Sequence, residues 1–474
     1  MNNKLGLFLI LFIFSLGSMT AQEIKVPVGR VVDSIPAADS TSSSFALYLP
    51  QNFTTEKQWP VLFVFDAEGR GKASTQLFKR VAEEQSYVIA AANLNINQDS
   101  LQNDIKKVGA IINQVAGMLP LNKQEVYAVG LGAGGKLASA LPLVYNNISG
   151  VLAVENGWLN TNYLKGSNKF MYSAIACTSR NSKFTLEEIV DFLDEKDHPT
   201  ELNFYSCEQK VEWPIADVIY NSIAGFTLKA IRDGKRERDP VLIQKLYEHE
   251  VDNAERLRRS RNYYLAFEKF KKIEDKYEDL GLDVDLRDKI KSIRRNKAFR
   301  QQRRDYRNFA SKEKEKREEY LNYMENDVMT SNFENTGWWA QEVEELKETE
   351  KKASGEEAKM AARLLGYLDE LSKTYYDDYV NAPVNARAKV FVSILRTIFD
   401  KIDPEAYLNI IKIAGHDGDH ETALLYLEDL LKTGFDELEA LYDIEGILDL
   451  KLSKEYNKKI KQYLGEAKYY EAEI

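Results

Sequence analysis

The densest chemical signal is the run Val126-Tyr127-Ala128-Val129-Gly130-Leu131-Gly132-Ala133-Gly134-Gly135-Lys136, an apolar strand that passes through glycines into a helix over Lys136–Leu143. Such a turn has two chemical uses. With a hydroxyl at its apex (G-x-S-x-G) it presents a nucleophile, the flanking glycines letting strand and helix pack closely. With bare glycines it can turn backbone N–H groups toward a phosphate at the helix N-terminus. Gly130, Gly132 and Gly135 also spell G-x-G-x-x-G, the dinucleotide pattern. That motif belongs at a first strand with an acidic residue closing a later one. Here it falls near the fourth strand and that acid is missing, so no cofactor is expected. The apex position holds Gly132, which has no side chain to attack anything.

Other residues invite chemistry less strongly. His416-Asp417-Gly418-Asp419-His420 sets two imidazoles four apart, but Gly418 interrupts the continuous helix that such a metal pair needs, and no metal is expected. Only four histidines occur, and His198, in Asp197-His198-Pro199, is alone in the first half; a solvated turn position is expected for it. Cys177 and Cys207 fall at the ends of two neighbouring strands. A disulfide is open to them, but two buried thiols are the expectation, because adjacent parallel strands seldom offer the geometry. Nine basic residues lie between Lys289 and Arg307 (Lys289, Lys291, Arg294, Arg295, Lys297, Arg300, Arg303, Arg304, Arg307). On one helix they read as a solvated face balanced by Glu313, Glu315, Glu318 and Glu319, although anionic lipid, an acidic protein or a wall polymer would also fit. Trp338-Trp339 follows Gly337 at a helix start and reads as core.

The elements that must position these residues change character near residue 235. Before it, Phe45–Pro50, Pro60–Phe65, Tyr87–Ala92, Glu125–Gly130, Gly150–Val154, Met171–Ala176 and Leu202–Tyr205 read as strands, with helices such as Ser74–Gln85 and Ser100–Met118 between them. That alternation predicts an α/β fold, a mostly parallel sheet covered by helices on both faces. After Asp233–Pro240 the strands stop, and apolar residues recur every three or four among Lys, Glu and Arg, predicting an all-α region.

Lys4, an apolar run from Leu5 to Leu16, then Gly17–Ala21 and Gln22 predict an export signal cut after Ala21, and so a periplasmic or secreted protein. The expected organisation is a signal peptide over 1–21, an extension over 22–44, the α/β domain over 45–232, a linker over 233–240 and a helical region over 241–474. A net charge of −10 argues against nucleic acid as partner. Two cysteines exclude a disulfide-rich scaffold. Membrane association is expected only peripherally or through partners.

The segment Phe45 to Leu228 resembles the α/β-hydrolase superfamily, in particular its secreted esterase and depolymerase type. Leu47-Tyr48-Leu49-Pro50 and Trp59–Phe65 look like its paired opening strands. Phe65-Asp66-Ala67-Glu68-Gly69-Arg70-Gly71 stands where that family carries its oxyanion loop. Val211-Glu212-Trp213-Pro214 looks like H-x-W-P, with Val211 in place of the histidine. The loop after Met171–Ala176 should carry the acid, and Asn181 is its nearest match. The resemblance therefore implies a hydrolase fold whose three triad positions, Gly132, Asn181 and Val211, all depart from hydroxyl, carboxylate and imidazole. Asp66, Arg70, Gly130, Gly132, Gly134, Gly135 and Trp213 remain as binding candidates, and a Cys177–Cys207 bridge would tie the loops that hold acid and base. In the helical region, Tyr263–Phe270 and Gly418–Leu427 resemble tetratricopeptide repeats. The expectation is a non-catalytic interaction or scaffold protein of a cell-envelope assembly, with protein partners. The alternatives are an esterase with a displaced nucleophile, for which Ser139 and Ser179 are the candidates, and a small-anion binder at the glycine turn.

Overall fold

A computed structural model of the chain describes residues 26–38, 43–96, 101–158, 169–207 and 215–469. The expected signal segment, Val211 and Trp213 lie outside them. Eight strands form one sheet: β1 Val31–Pro36, β2 Ser44–Tyr48, β3 Trp59–Asp66, β4 Val88–Asn93, β5 Leu121–Leu131, β6 Ile148–Val154, β7 Met171–Cys177 and β8 Thr200–Tyr205. Their order is β1-β2-β4-β3-β5-β6-β7-β8. β2 runs antiparallel to β1 and β4, while β3 is parallel to β4 and β5, and β5 to β6. Every residue of β3 and of β7 is buried, so helices cover both faces, as an unbroken apolar run requires. Six helices accompany the sheet: α1 Gly71–Leu77, α2 Lys79–Gln85, α3 Leu101–Met118, α4 Gly134–Val144, α5 Ser182–Asp194 and α6 Ala216–Arg232. The fold is the α/β-hydrolase-like sheet expected, followed by an all-α region.

Three details differ from expectation. The extension over 22–44 contains β1, a half-exposed edge strand with a bulge at Ser34 (φ 57°), and so too irregular to show a period of two. The single helix expected over Ser74–Gln85 breaks at Phe78 into α1 and α2. The segment read as a linker over 233–240 is anchored: Arg236 makes a 2.8 Å ion pair with buried Glu125, and its Nη1 donates to the Gln85 carbonyl and to Thr227 Oγ1. Asp239 then caps the next helix, accepting from Val241 and Leu242 N–H, with Pro240 at the first helical position.

Contacts divide the chain into two compact units. The first runs to Ser173 and takes in Leu193–Glu201 and Ser222–Glu237; the second holds Ala174–Phe192, Leu202–Asn221 and everything from Arg238. The second contains α7 Pro240–Arg259, α8 Tyr263–Tyr277, α9 Arg287–Arg295, α10 Lys297–Thr330, α11 Thr336–Lys352, α12 Glu356–Val380, α13 Ala386–Phe399, α14 Pro404–His416 and α15 His420–Lys432, then α16 Leu438–Asp443, α17 Leu448–Leu452 and α18 Lys454–Leu464. Among the described residues no helix is long and apolar enough to cross a membrane. Trp339 is fully buried and its indole N–H donates to Asp327 Oδ2 at 2.8 Å, so it is core, as expected, while Trp338 is only partly buried against that core. The basic run does not lie on one helix. Asn296 stops α9 and caps α10, accepting from Ala298 N–H at 2.8 Å. His416 ends α14 and His420 begins α15, with Gly418 at φ 78° in the turn and Asp419 capping through Thr422 N–H.

The core of the second unit carries a charge. Arg363, 1% exposed, donates to both Glu313 oxygens, to Glu356 Oε1 at 2.9 Å and to the Thr178 carbonyl. Burial alone would depress this guanidinium's pKa, but Glu313 and Glu356 outweigh that and raise it. Replacing Arg363 by Ala strands the buried Glu313 carboxylate and should cost about 3–5 kcal/mol, read as a drop in unfolding free energy in urea.

Candidate functional site

The register of the parallel strands builds the site. Asp66, Leu131 and Val154 lie side by side where β3, β5 and β6 end. One residue beyond Leu131, Gly132 turns the chain at φ 57°, a left-handed conformation that L side chains adopt at a cost. Its N–H donates to the Val154 carbonyl at 3.0 Å, and its own carbonyl accepts from Gly135 N–H at 2.9 Å. α4 starts at Gly134. This is the strand–sharp turn–helix geometry of a nucleophile elbow.

The glycines divide into two kinds. A Cβ on Gly130 would lie 2.1 Å from the Gly134 carbonyl oxygen. On Gly134 it would lie 2.0 Å from the Phe65 oxygen, and on Gly135 1.9 Å from the Asn156 oxygen. These three are bare because backbone passes against backbone. A Cβ on Gly132 would meet only Ala67 Cβ, at 3.5 Å. The apex therefore has room for a side chain and lacks one. The N–H groups of Gly132, Gly135 and Lys136 are donated within the turn or to β6 and so are not turned toward an anion.

Beside the apex, the loop after β3 is held by its own charge pair. Asp66, 4% exposed, accepts from Arg70 Nε at 2.9 Å, Arg70 Nη2 at 3.0 Å, and the backbone N–H of Arg70 and Glu68. Burial pushes the Asp66 carboxyl up, but the Arg70 hydrogen bonds and charge prevail and hold it below the usual carboxylate range. Arg70 is half exposed and lines an open depression of about 330 Å³ with Gly69, Gly71, Lys72, Asp33 and Asn93. Asn93 organises that wall, accepting from Gly71 N–H and donating to Asp33 and Ser44. Asp33 and Asn93 were not singled out in the sequence; the only signal was Asn93 closing the strand over 87–92.

The other expected residues belong to the second unit or to other surroundings. Asn181 lies in the second unit, where its Oδ1 accepts from Arg317 Nη1 and its Nδ2 donates to Glu370 Oε2. Arg317 is sandwiched between the rings of Phe184 and Tyr367, 3.8 and 3.9 Å from their centroids. Both ends of the Asn181 amide are thus used in packing helices. Cys177 and Cys207 are joined as a disulfide with Cα atoms 5.8 Å apart, which corrects the expectation of free thiols. Cys207 lies beyond the last residue of β8, where the chain has left the sheet and the geometric objection no longer applies. Ser179 Oγ sits 3.4 and 3.3 Å from the two sulfurs, and Ser139 Oγ, fully buried, donates to the Gly135 carbonyl. Neither substitute hydroxyl is free. His198 is not solvated. It is 3% exposed, with Nδ1 3.2 Å from the Phe170 carbonyl and its ring packed on Phe170. Burial lowers its pKa. Among the described residues no cluster of His, Cys, Asp and Glu could hold a metal.

No protein-family model matches the sequence, and no curated protein is significantly similar to it. Solved structures similar to part of the chain include esterases. The feruloyl esterase module from Clostridium thermocellum, complexed with sinapinate, aligns with 41% of this chain and 87% of its own at 10% identity and a TM-score of 0.36. Thermogutta terrifontis esterase 2 phosphonylated by cyclosarin aligns with 43% and 96% at 14% identity and a TM-score of 0.35. The Pyrobaculum calidifontis esterase gives 44% and 88%, 12% identity and 0.34. At these values the likeness says nothing of chemistry, and the fold class rests on this chain's own sheet order.

Two outcomes test this geometry. Gly132→Ala should lose only about 1–2 kcal/mol, the cost of a left-handed side chain. Gly135→Ala should lose clearly more in the same denaturant titration, because its Cβ meets backbone. For His198, the unfolded imidazole takes up a proton near its ordinary pKa of about 6.5, and the buried one only at lower pH. The unfolded state therefore gains protons first, and stability falls as pH drops through that window. His198→Gln should make the decline below about pH 7 shallower in urea unfolding.

Proposed function

We propose that this chain is a non-catalytic interaction protein of the cell envelope: a hydrolase-like unit that has kept the elbow and given up the nucleophile, joined to a helical, repeat-like region that presents a surface to protein partners. The observation that carries this reading is the apex of the turn. Gly132 holds the left-handed conformation of a nucleophile elbow, with space for a side chain, and has none. The departures at Asn181 and Val211 support it, since hydroxyl, imidazole and carboxylate act as one unit and lose most of their effect together. Asn181 has moreover been given a structural task, holding Arg317 and Glu370. Export through the segment Lys4–Ala21 would place the protein in the periplasm or outside the cell.

In this reading the depression beside Arg70 is a recognition surface. The helical region supplies the larger contact area, with α14 and α15 forming the most repeat-like pair. Ile411 of α14 and Ala423 and Leu427 of α15 belong to one buried apolar cluster.

Purified protein should hydrolyse short and medium p-nitrophenyl esters no faster than a heat-denatured control. Gly132→Ser, which restores a hydroxyl without base or acid, should add no turnover. Turnover in the native chain that survives dialysis and is abolished by a serine-directed inhibitor would sink the proposal.

A further inference from the structure

The first third of α10 and the whole of α9 form a surface that the reading above does not use. Between Lys291 and Arg307 the chain carries eight basic residues and a single acid, Asp305, within a protein whose net charge is −10. All eight are exposed. Along α10, Lys297, Arg300, Arg304 and Arg307 recur at spacings of three and four and so share one face, with Arg303 beside it. The opposite face is the packed one: Phe299 is buried against Phe267, and Gln302 bonds Tyr264 N–H and the Arg261 carbonyl. The stripe therefore points outward over about 15 Å of helix.

The acids expected from the sequence to balance this stripe form no ion pair with it, although Glu315 and Glu318 are exposed further along the same helix. Glu313 is buried and committed to Arg363, and Glu319 pairs with Lys316. Asp305 accepts from Gln301 and lies off the stripe. Among the described residues none of the eight sits in an ion pair, whereas neighbouring Lys289 does, with Glu255 at 2.7 Å. Arg294 packs over the Phe267 ring and Arg304 donates to Gln301, contacts that orient these side chains and leave their charge in place.

We propose that the face from Lys291 to Arg307 docks the protein on an anionic phospholipid surface. The proposal is independent of the reading of Gly132. Three features select this partner. The face is the outer side of a packed helix, so it can meet an extended array of charges and cannot enclose a small anion. Six of the eight cations are arginines, whose planar guanidinium pairs bidentately with phosphate. No large apolar side chain is exposed between Lys291 and Arg307, so the apolar anchors of a specific protein interface are missing, while headgroup binding needs only charge. Because the protein is acidic overall, this is also the face that a negative surface attracts.

The test is co-sedimentation of the purified chain with phosphatidylcholine vesicles, with and without phosphatidylglycerol. The protein should sediment only with the anionic vesicles at about 0.1 M salt and should be released at about 1 M, where screening acts within about 3 Å. Replacing Arg300, Arg303, Arg304 and Arg307 by Gln should lower partitioning at least about tenfold. Removing the same charge elsewhere on the exposed surface, with Lys351→Gln, Lys352→Gln, Lys373→Gln and Lys401→Gln, should leave it within about twofold. Melting curves establish that both variants fold. Equal binding by the arginine variant overturns the proposal. So does failure of the native chain to bind anionic vesicles while it is retained on immobilised polyglutamate, an outcome that would assign the face to an acidic protein instead.

Discussion

Backbone touches backbone where the first helix after the central strand crosses the sheet, and much of the first unit follows from that approach. Gly130, Gly134 and Gly135 each lie where a methyl group would fall about 2 Å from a carbonyl oxygen of the same turn, of β3 or of the β6 loop. With these three bare, α4 can begin three residues past the strand end, and the ends of β3, β5 and β6 fall into line. The loop carrying Asp66 and Arg70 is thereby brought against the apex. Interior packing leaves few voids, so the constraint is absolute at those three positions and absent at Gly132.

The second unit is organised by buried arginines instead of by close backbone. Arg363 ties α10 to α12 and to the carbonyl of Thr178, Arg317 is clamped between two aromatic rings, and Arg396 gathers Asp369, Asp400 and Asp403 around α13. Long amphipathic helices offer many nearly equivalent packings. A guanidinium with several fixed donors satisfies only those in which its carboxylates and carbonyls converge, and this supplies a register that apolar contacts alone would leave loose. The Asn181 amide, bonded to Arg317 and Glu370, is likewise a joint in the helical packing.

The parts of this organisation that rest on local pattern were legible in the sequence. Continuous apolar runs such as Trp59–Phe65 announced buried strands, and the glycine turn announced its own geometry. What failed to show were features decided across long distances. β1 is held by pairing with β2 and has no apolar period of its own. Arg236 reads as one more charge in a polar stretch, yet its partner Glu125 lies over a hundred residues away. His198 sits in a polar turn, Asp197-His198-Pro199, but the turn folds back onto Phe170 and buries the ring. The disulfide runs against the expectation because Cys207, read as the end of a strand, lies two residues past it, where the chain has left the sheet.

The bridge between Cys177 and Cys207 also bears on how the protein tolerates cutting. It closes a covalent ring containing α5 and β8. A single protease cut anywhere in 178–206 would leave the two resulting pieces of chain attached through sulfur, each still carrying its share of the sheet. Such a nick would alter electrophoretic mobility only after reduction. The loop beside Asn181 can therefore be severed without the chain coming apart.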